Sequence, residues 1–178
     1  MSDLPQVNVS RKLPKSDVIL LGVSGTAEDP VLQVPDALGK AWAKRTLPAH
    51  RLRAEAGKTS LVPGPDQQQL ILVGLGKEVT PAALRRATGQ AVRLAVGSDF
   101  DDIAVALPTE EPELLAAVVE GAALGAYRVD KLVKDAEDLT VPTVTVVTEQ
   151  NRKVVDATLA VARAVATARD LVNLPANL

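Results

Sequence analysis

Two long, uninterrupted apolar runs constrain this 178-residue chain more than any other feature. DVILLGVSG (residues 17–25) and QLILVGLG (residues 69–76) are rich in Val, Leu and Ile, and both end at glycine. A strand with one solvated face alternates apolar and polar residues, so a continuous run indicates burial on both faces. Because parallel sheets are covered on both faces, these runs favour an α/β fold with a mostly parallel sheet.

Strand-like and helix-like blocks alternate along the rest of the chain, which is the pattern of β-α-β units. The stretch 29–59 is irregular except for one predicted helix. Boundaries follow from Gly, Pro and Asp clusters between the blocks. The further predicted elements are strands at 59–64, 102–108 and 143–148 and helices at 35–47, 80–97, 111–127 and 152–173.

The predicted helices carry distinct local signals. One begins with Thr80 as N-cap and Pro81 at the first helical position. The next contains Gly121 and Gly125, each costing about 1 kcal/mol relative to alanine, so we predict close approach to a neighbouring strand or helix. The last is rich in Ala and Val. Its predicted apolar stripe is Val154, Thr158, Val161, Ala162, Val165, Ala168 and Val172.

Composition excludes several classes of function. Hydrophobic residues make up 47% of the chain, but Trp42, Phe100 and Tyr127 are its only aromatics, which excludes stacking platforms for single-stranded nucleic acid. There is no cysteine for a disulfide, a zinc knuckle or a thiol nucleophile. A net charge of −2 disfavours a broad DNA footprint. The N-terminus lacks a signal-peptide core and no run approaches the roughly 20 residues of a membrane span, which predicts a soluble cytoplasmic protein.

A glycine turn follows the second apolar run. Gly74, Gly76 and Lys77 lie after a strand and before a helix, where phosphate groups are often bound. The spacing matches neither common phosphate-loop motif, because Val79 occupies the place of the third glycine. The favoured interpretation is a strand-exit turn that needs a positive φ.

Other polar clusters have simple structural interpretations. The lone His50 has no carboxylate nearer in sequence than Glu55, so a surface loop is favoured. Glu110, Glu111 and Glu113 lie where a helix begins and complement its dipole. Arginines on the helix at 80–97 are typical of a solvated face. We find no catalytic set, and the candidate anion or partner contacts are Lys77, Arg85, Arg86 and Arg93.

The tail, ARDLVNLPAN (residues 168–177), resembles the junction sequence of the leucyl aminopeptidase family, the dinuclear metal aminopeptidases. In that family a long helix joins an N-terminal domain to the catalytic domain. Three earlier blocks resemble the family in order and spacing. They are VILLGV (18–23), the stretch 57–77 with its VGLGK, and GAALGAYRVDKLVKD (121–135), where Val129 replaces the usual Phe.

The resemblance implies a macro-domain-like, three-layer α/β fold with a mixed, mostly parallel sheet between helices. It implies an N-terminal domain at 1–149 and, at 150–178, a linker helix and the start of a catalytic domain. The catalytic residues and two divalent metals, Zn or Mn, would lie in that missing domain, so no catalytic or metal residue is carried over. The expected protein is a cytosolic homohexamer. The domain is expected to serve assembly and active-site access rather than catalysis, with its own catalytic domain as partner and no membrane or nucleic acid.

Two alternatives stay open from the sequence. One is an ADP-ribose or nucleotide-binding module, suggested by the macro-like fold and the Gly74–Gly76 turn, although the Asn-rich and triple-Gly loops of such modules are missing. The other is a DNA-binding accessory domain that uses the arginine face. We further expect residues 168–178 to be frayed or held by another copy, because the last two turns of the helix would dock on the catalytic domain.

Overall fold

The computed structural model describes residues 4–33, 52–64, 68–127 and 142–173, and every structural statement refers to these residues. The predicted helix at 35–47 and the lone His50 lie outside them. The strands are β1 (Gln6–Ser10), β2 (Val18–Gly25), β3 (Pro30–Leu32), β4 (Thr59–Pro63), β5 (Gln69–Gly76), β6 (Asp102–Ala106) and β7 (Thr143–Val147). The helices are α1 (Pro81–Val96), α2 (Pro112–Gly125) and α3 (Arg152–Asn173).

The strands form one mixed, mostly parallel sheet in the order β1-β7-β6-β2-β5-β4. β4 runs antiparallel to β5, and β3 runs antiparallel to the end of β2. The two apolar runs are neighbours, with Val18 paired to Gln69 on one side and to Ile103 on the other. This arrangement confirms the predicted α/β class.

The central strands are buried on both faces, as their continuous apolar sequence predicts. Leu20 and Ile71 pack in the core on the face that carries all three described helices, and both have 0% exposure. Ile19 and Leu21 point to the opposite face, where they pack near Ala54, and they too have 0% exposure. The sheet therefore lies between two apolar layers.

Helices α1 and α2 cross in backbone contact. A Cβ atom on Gly121 would lie 2.5 Å from the carbonyl oxygen of Arg85, and one on Gly125 would lie 2.7 Å from that of Gly89. Real Cβ atoms do not approach so closely, so these positions require glycine. The predicted packing reason for Gly121 and Gly125 is confirmed, and the neighbour is a helix.

The sequence patterns did not lead to a prediction of two strands, β1 and β3. β1 and β3 are short, and neither has a continuous apolar run: QVNVS and PVL are mostly half-exposed. β1 is an edge strand whose partner is β7, so its pairing depends on residues far along the chain. The alternation of QVNVS is the pattern of a strand with one solvated face and was overlooked, whereas the three residues of β3 are too few to show a period.

The apolar stripe predicted for α3 is displaced by about one residue. Of the predicted residues Ala162 is buried and Val154, Thr158 and Val165 are half-buried, whereas Val161 is 59% exposed. Apolar residues surround this Ala/Val-rich helix, so periodicity could not fix which side faces the core. Leu159 shows which side faces the core, since this long side chain packs in the core on the helix-bearing face of the sheet. The buried residues are Val155, Leu159, Ala162 and Ala166.

Candidate functional site

Backbone hydrogen bonds join the Gly74–Gly76 turn to the segment before β4. The Gly74 N–H donates to the carbonyl oxygen of Lys58, and the Gly76 N–H donates to that of Ala54, both at 2.8 Å. The Gly74 carbonyl in turn accepts from the Gly57 N–H at 2.8 Å. A phosphate cradle needs free backbone N–H groups, and these two are already used. With φ at +84° for Gly76, the prediction of a strand-exit turn is confirmed.

Lack of space explains why residue 74 is a glycine. A Cβ atom on Gly74 would overlap the carbonyl oxygen of Glu55 and lie 2.7 Å from that of Arg53. At Gly76 the nearest neighbour would be the Ala56 Cβ at 3.7 Å, so its requirement is conformational. The turn therefore packs the segment before β4 against the end of β5.

The four basic candidates lie in different surroundings. Lys77 is exposed in the turn that leads into α1, and Arg86 and Arg93 are exposed along α1 itself. Arg85 differs, because its Nε lies 2.6 Å from Oε2 of Glu120 on α2. That ion pair links α1 to α2, so Arg85 already has a partner within the domain. A role for these residues in binding an anion or a partner stays a prediction.

A crevice of about 570 Å³ opens at the carboxyl ends of β6 and β7. This is the edge of a parallel sheet at which α/β proteins bind their ligands. Its polar groups bond to one another. The Gln33 amide donates to the Ser24 hydroxyl at 2.9 Å, and the Thr109 hydroxyl donates to the Val147 carbonyl oxygen at 3.3 Å. The lining thus offers few free groups that converge on a ligand.

The charges of the crevice disfavour a diphosphate. Glu110 and Glu149 line it, and the Gln150 amide is bonded to the Glu110 carbonyl oxygen. Arg11 is the cation of the lining and already lies 3.5 Å from the Glu149 carboxylate. Two carboxylates against one paired guanidinium would repel an anionic ligand. The geometry therefore gives the nucleotide-binding alternative no support.

Metal-ligand chemistry is also missing from the described residues. Within them, no three His, Asp or Glu side chains come together in a group that could hold an ion. Glu113 lies in the first turn of α2 and Glu111 is its N-cap residue, which agrees with the helix-dipole interpretation. This donor set does not fit a catalytic metal, so no catalytic step is assigned to it. In the same part of the chain, no helix is long and apolar enough to span a bilayer.

The carboxyl-terminal end of α3 carries interactions that sequence reasoning missed. The Tyr127 hydroxyl, just beyond α2, donates to Oδ1 of Asp170 at 2.9 Å. The guanidinium of Arg169 lies over the same ring, 5.5 Å from its centroid. Both partners lie in blocks that resemble the leucyl aminopeptidase family, which was the available signal. The next residues, Leu171 and Val172, are 66% and 84% exposed.

An exposed apolar face runs along α3 opposite its buried stripe. Surface helices of globular proteins are polar on their outer side, whereas this side is built from Ala, Val and Leu. The residues recur at intervals of three or four, so they form one continuous band. The exposed band of α3 comprises Ala157, Ala160, Val161, Ala164, Ala168, Leu171 and Val172.

The sequence of this chain matches a known family. The family described as "Cytosol aminopeptidase family, N-terminal domain" matches residues 18–136. The chain belongs to the cytosol aminopeptidase family. Among curated relatives, the probable cytosol aminopeptidase of Cutibacterium acnes is 30% identical over 98% of this chain, and that of Mycobacterium ulcerans is 35% identical over 97%. The resemblance inferred from the tail is confirmed.

Solved structures agree on the fold. A tomato leucine aminopeptidase variant superposes with a TM-score of 0.72 over 99% of this chain and 40% of its own, at 19% identity. The bottromycin maturation enzyme BotP gives a TM-score of 0.69 over 92% of this chain and 34% of its own, at 29% identity, and it has also been solved in complex with Mn. The chain spans 37% and 38% of the two curated relatives, so it corresponds to the N-terminal domain of a longer type of protein.

Proposed function

We propose that this chain is the assembly and access domain of a leucyl-aminopeptidase-like enzyme, and that α3 links it to a catalytic domain. The supporting observation is the exposed band of α3, which ends in Leu171 and Val172, inside the tail that resembles the junction sequence of the family. An apolar face of this kind is costly in water and indicates a partner surface. The division into a domain at 1–149 and a linker at 150–178 is part of the proposal.

The complete enzyme would release N-terminal amino acids from peptides in the cytoplasm, as a homohexamer. Two divalent ions, Zn or Mn, held in the catalytic domain would supply a polarised scissile carbonyl and an activated water. The described residues of this chain would contribute none of the ligands. Their task would be to hold the catalytic domains in the assembly and to limit which peptides reach them.

The first test separates the chain from its proposed partner domain. We expect the 178-residue chain to show no hydrolysis of leucine amide with added Mn²⁺, and a polypeptide extended past residue 178 to family length to hydrolyse it. Release of leucine is the measurement, with a chelator added to each sample as control. Hydrolysis by the short chain would show that the chemistry does not belong to the missing domain, and an inactive extended polypeptide would contradict the aminopeptidase assignment.

A second test examines the proposed docking face. Leu171→Asp is expected to leave the melting temperature of the 178-residue chain within about 2 °C, because the side chain is 66% exposed. In the extended polypeptide the same change would bury an unpaired carboxylate at the domain interface, and we expect activity to fall about tenfold or more.

Leu61→Asp on β4 is the matched control, since Leu61 is 45% exposed but lies on the sheet edge away from α3. Its activity in the extended polypeptide should stay within about twofold of the unmodified protein. Equal losses from the two substitutions would show that the end of α3 is not a docking surface.

A further inference from the structure

We infer that Tyr127, Arg169 and Asp170 form a clamp that fixes the direction in which the chain leaves α3. The inference rests on the proposed function, because it assigns the clamp the task of orienting the catalytic domain. We call these three residues the exit clamp. They are positioning residues, and none of them is placed at a reacting atom.

The Tyr127 side chain makes two separate interactions with α3. The edge of the Tyr127 ring carries the hydroxyl that donates to the Asp170 carboxylate at 2.9 Å. The face of the ring receives the Arg169 guanidinium, 5.5 Å from its centroid. A hydrogen bond to a carboxylate is about twice as strong as a neutral one, and a cation over a ring adds a second attraction. Two consecutive residues of α3 are thereby tied to one side chain beyond α2.

The clamp lies where core packing has ended. Ala166 is the last buried residue of α3, at 3% exposure, and the seven residues after it are half-buried or exposed. Isolated helical turns are marginal in water, so these two turns need other contacts to stay ordered. The exit clamp supplies such contacts one residue before Leu171 and two before Val172.

The clamp is suited to orientation more than to global stability. Tyr127 and Asp170 are half-buried and Arg169 is exposed, so their loss removes no part of the hydrophobic core. Partly exposed polar contacts contribute little to the unfolding free energy but decide whether a helix end opens locally. The turn that they hold carries Leu171 and Val172, the residues proposed to contact the catalytic domain.

Amide hydrogen exchange on the 178-residue chain tests the clamp directly. Tyr127→Phe removes the hydroxyl donor and keeps the ring. We expect amides of residues 167–173 to exchange about tenfold faster, while those of 155–166 are unchanged. Asp170→Asn keeps an oxygen acceptor for the Tyr127 hydroxyl but removes its charge, so we expect a smaller acceleration of the same amides. Arg163→Gln, an exposed arginine earlier on α3, is the control.

Exchange that stays unchanged in Tyr127→Phe would overturn the clamp, as would acceleration spread evenly over the whole of α3. In the extended polypeptide, Tyr127→Phe should lower kcat with little change in KM, since a smaller fraction of molecules holds the productive domain orientation. An unchanged kcat would overturn the positioning role. If the unmodified extended polypeptide is inactive, the proposed function fails, and hydrogen exchange still decides whether the clamp exists.

Discussion

Gly74→Ala is expected to destabilise the domain by about 3 kcal/mol. The new Cβ would overlap the Glu55 carbonyl oxygen, so the segment before β4 must move away from β5. That movement breaks the 2.8 Å hydrogen bonds that Gly74 makes with Lys58 and Gly57. Urea denaturation followed by circular dichroism measures the loss.

Gly76→Ala provides the matched control, two residues away on the same turn. Its Cβ meets nothing nearer than 3.7 Å, but φ is +84°, so only backbone strain of about 1 to 2 kcal/mol is expected. The contrast distinguishes lack of space from lack of conformational freedom. If Gly74→Ala proved as mild as Gly76→Ala, the close approach of the two segments would be wrong.

The second large loss of stability is expected where α1 and α2 cross. Gly121→Ala places a Cβ 2.5 Å from the Arg85 carbonyl oxygen, and the helices can relieve the overlap only by separating. Alanine favours the helix by about 1 kcal/mol, and overpacking costs up to about 3, so we expect a net loss of about 2 kcal/mol. Thermal and urea unfolding would report it.

The other side of the same crossing supplies a control of opposite sign. A Cβ on Gly89 would lie 3.5 Å from the Gly121 carbonyl oxygen, which is an ordinary contact. Gly89→Ala should therefore be neutral or more stable by up to about 1 kcal/mol, through helix propensity alone. A loss at Gly89 equal to that at Gly121 would mean that the crossing tolerates no side chain on either helix.

The sequence predicted those parts of the fold that local patterns encode. The uninterrupted runs through β2 and β5 required burial on both faces, and the structure places these strands side by side at the centre of the sheet. Thr80 accepts a hydrogen bond from the Ala83 N–H as the N-cap of α1, as the capping pattern indicated. Each of these features depends on residues close together in sequence.

Features that depend on distant residues were missed or misplaced. The hydrogen bond from Tyr127 to Asp170 joins residues 43 positions apart, and nothing near either residue indicates the other. The buried side of α3 could not be chosen because Val154 and Val155 are adjacent and equally apolar. Only the packing of Val155 and Leu159 in the core on the helix-bearing face of the sheet distinguishes them. Both the exit clamp and the orientation of α3 therefore depend on tertiary contacts, which local sequence patterns do not encode.

The pairing of β1 with β7 sets an order of events during synthesis. Gln6 leaves the ribosome before the other described strands and helices, yet its partner Thr143 emerges only after all of them except α3. Such non-local pairing is slow, because most of the chain must already be arranged before it forms. The edge of the sheet therefore cannot close before β7 has emerged, and α3 follows β7 directly in the chain. Any domain that follows α3 would be synthesised after all the described strands of this sheet, so the two need not compete for strand partners during folding.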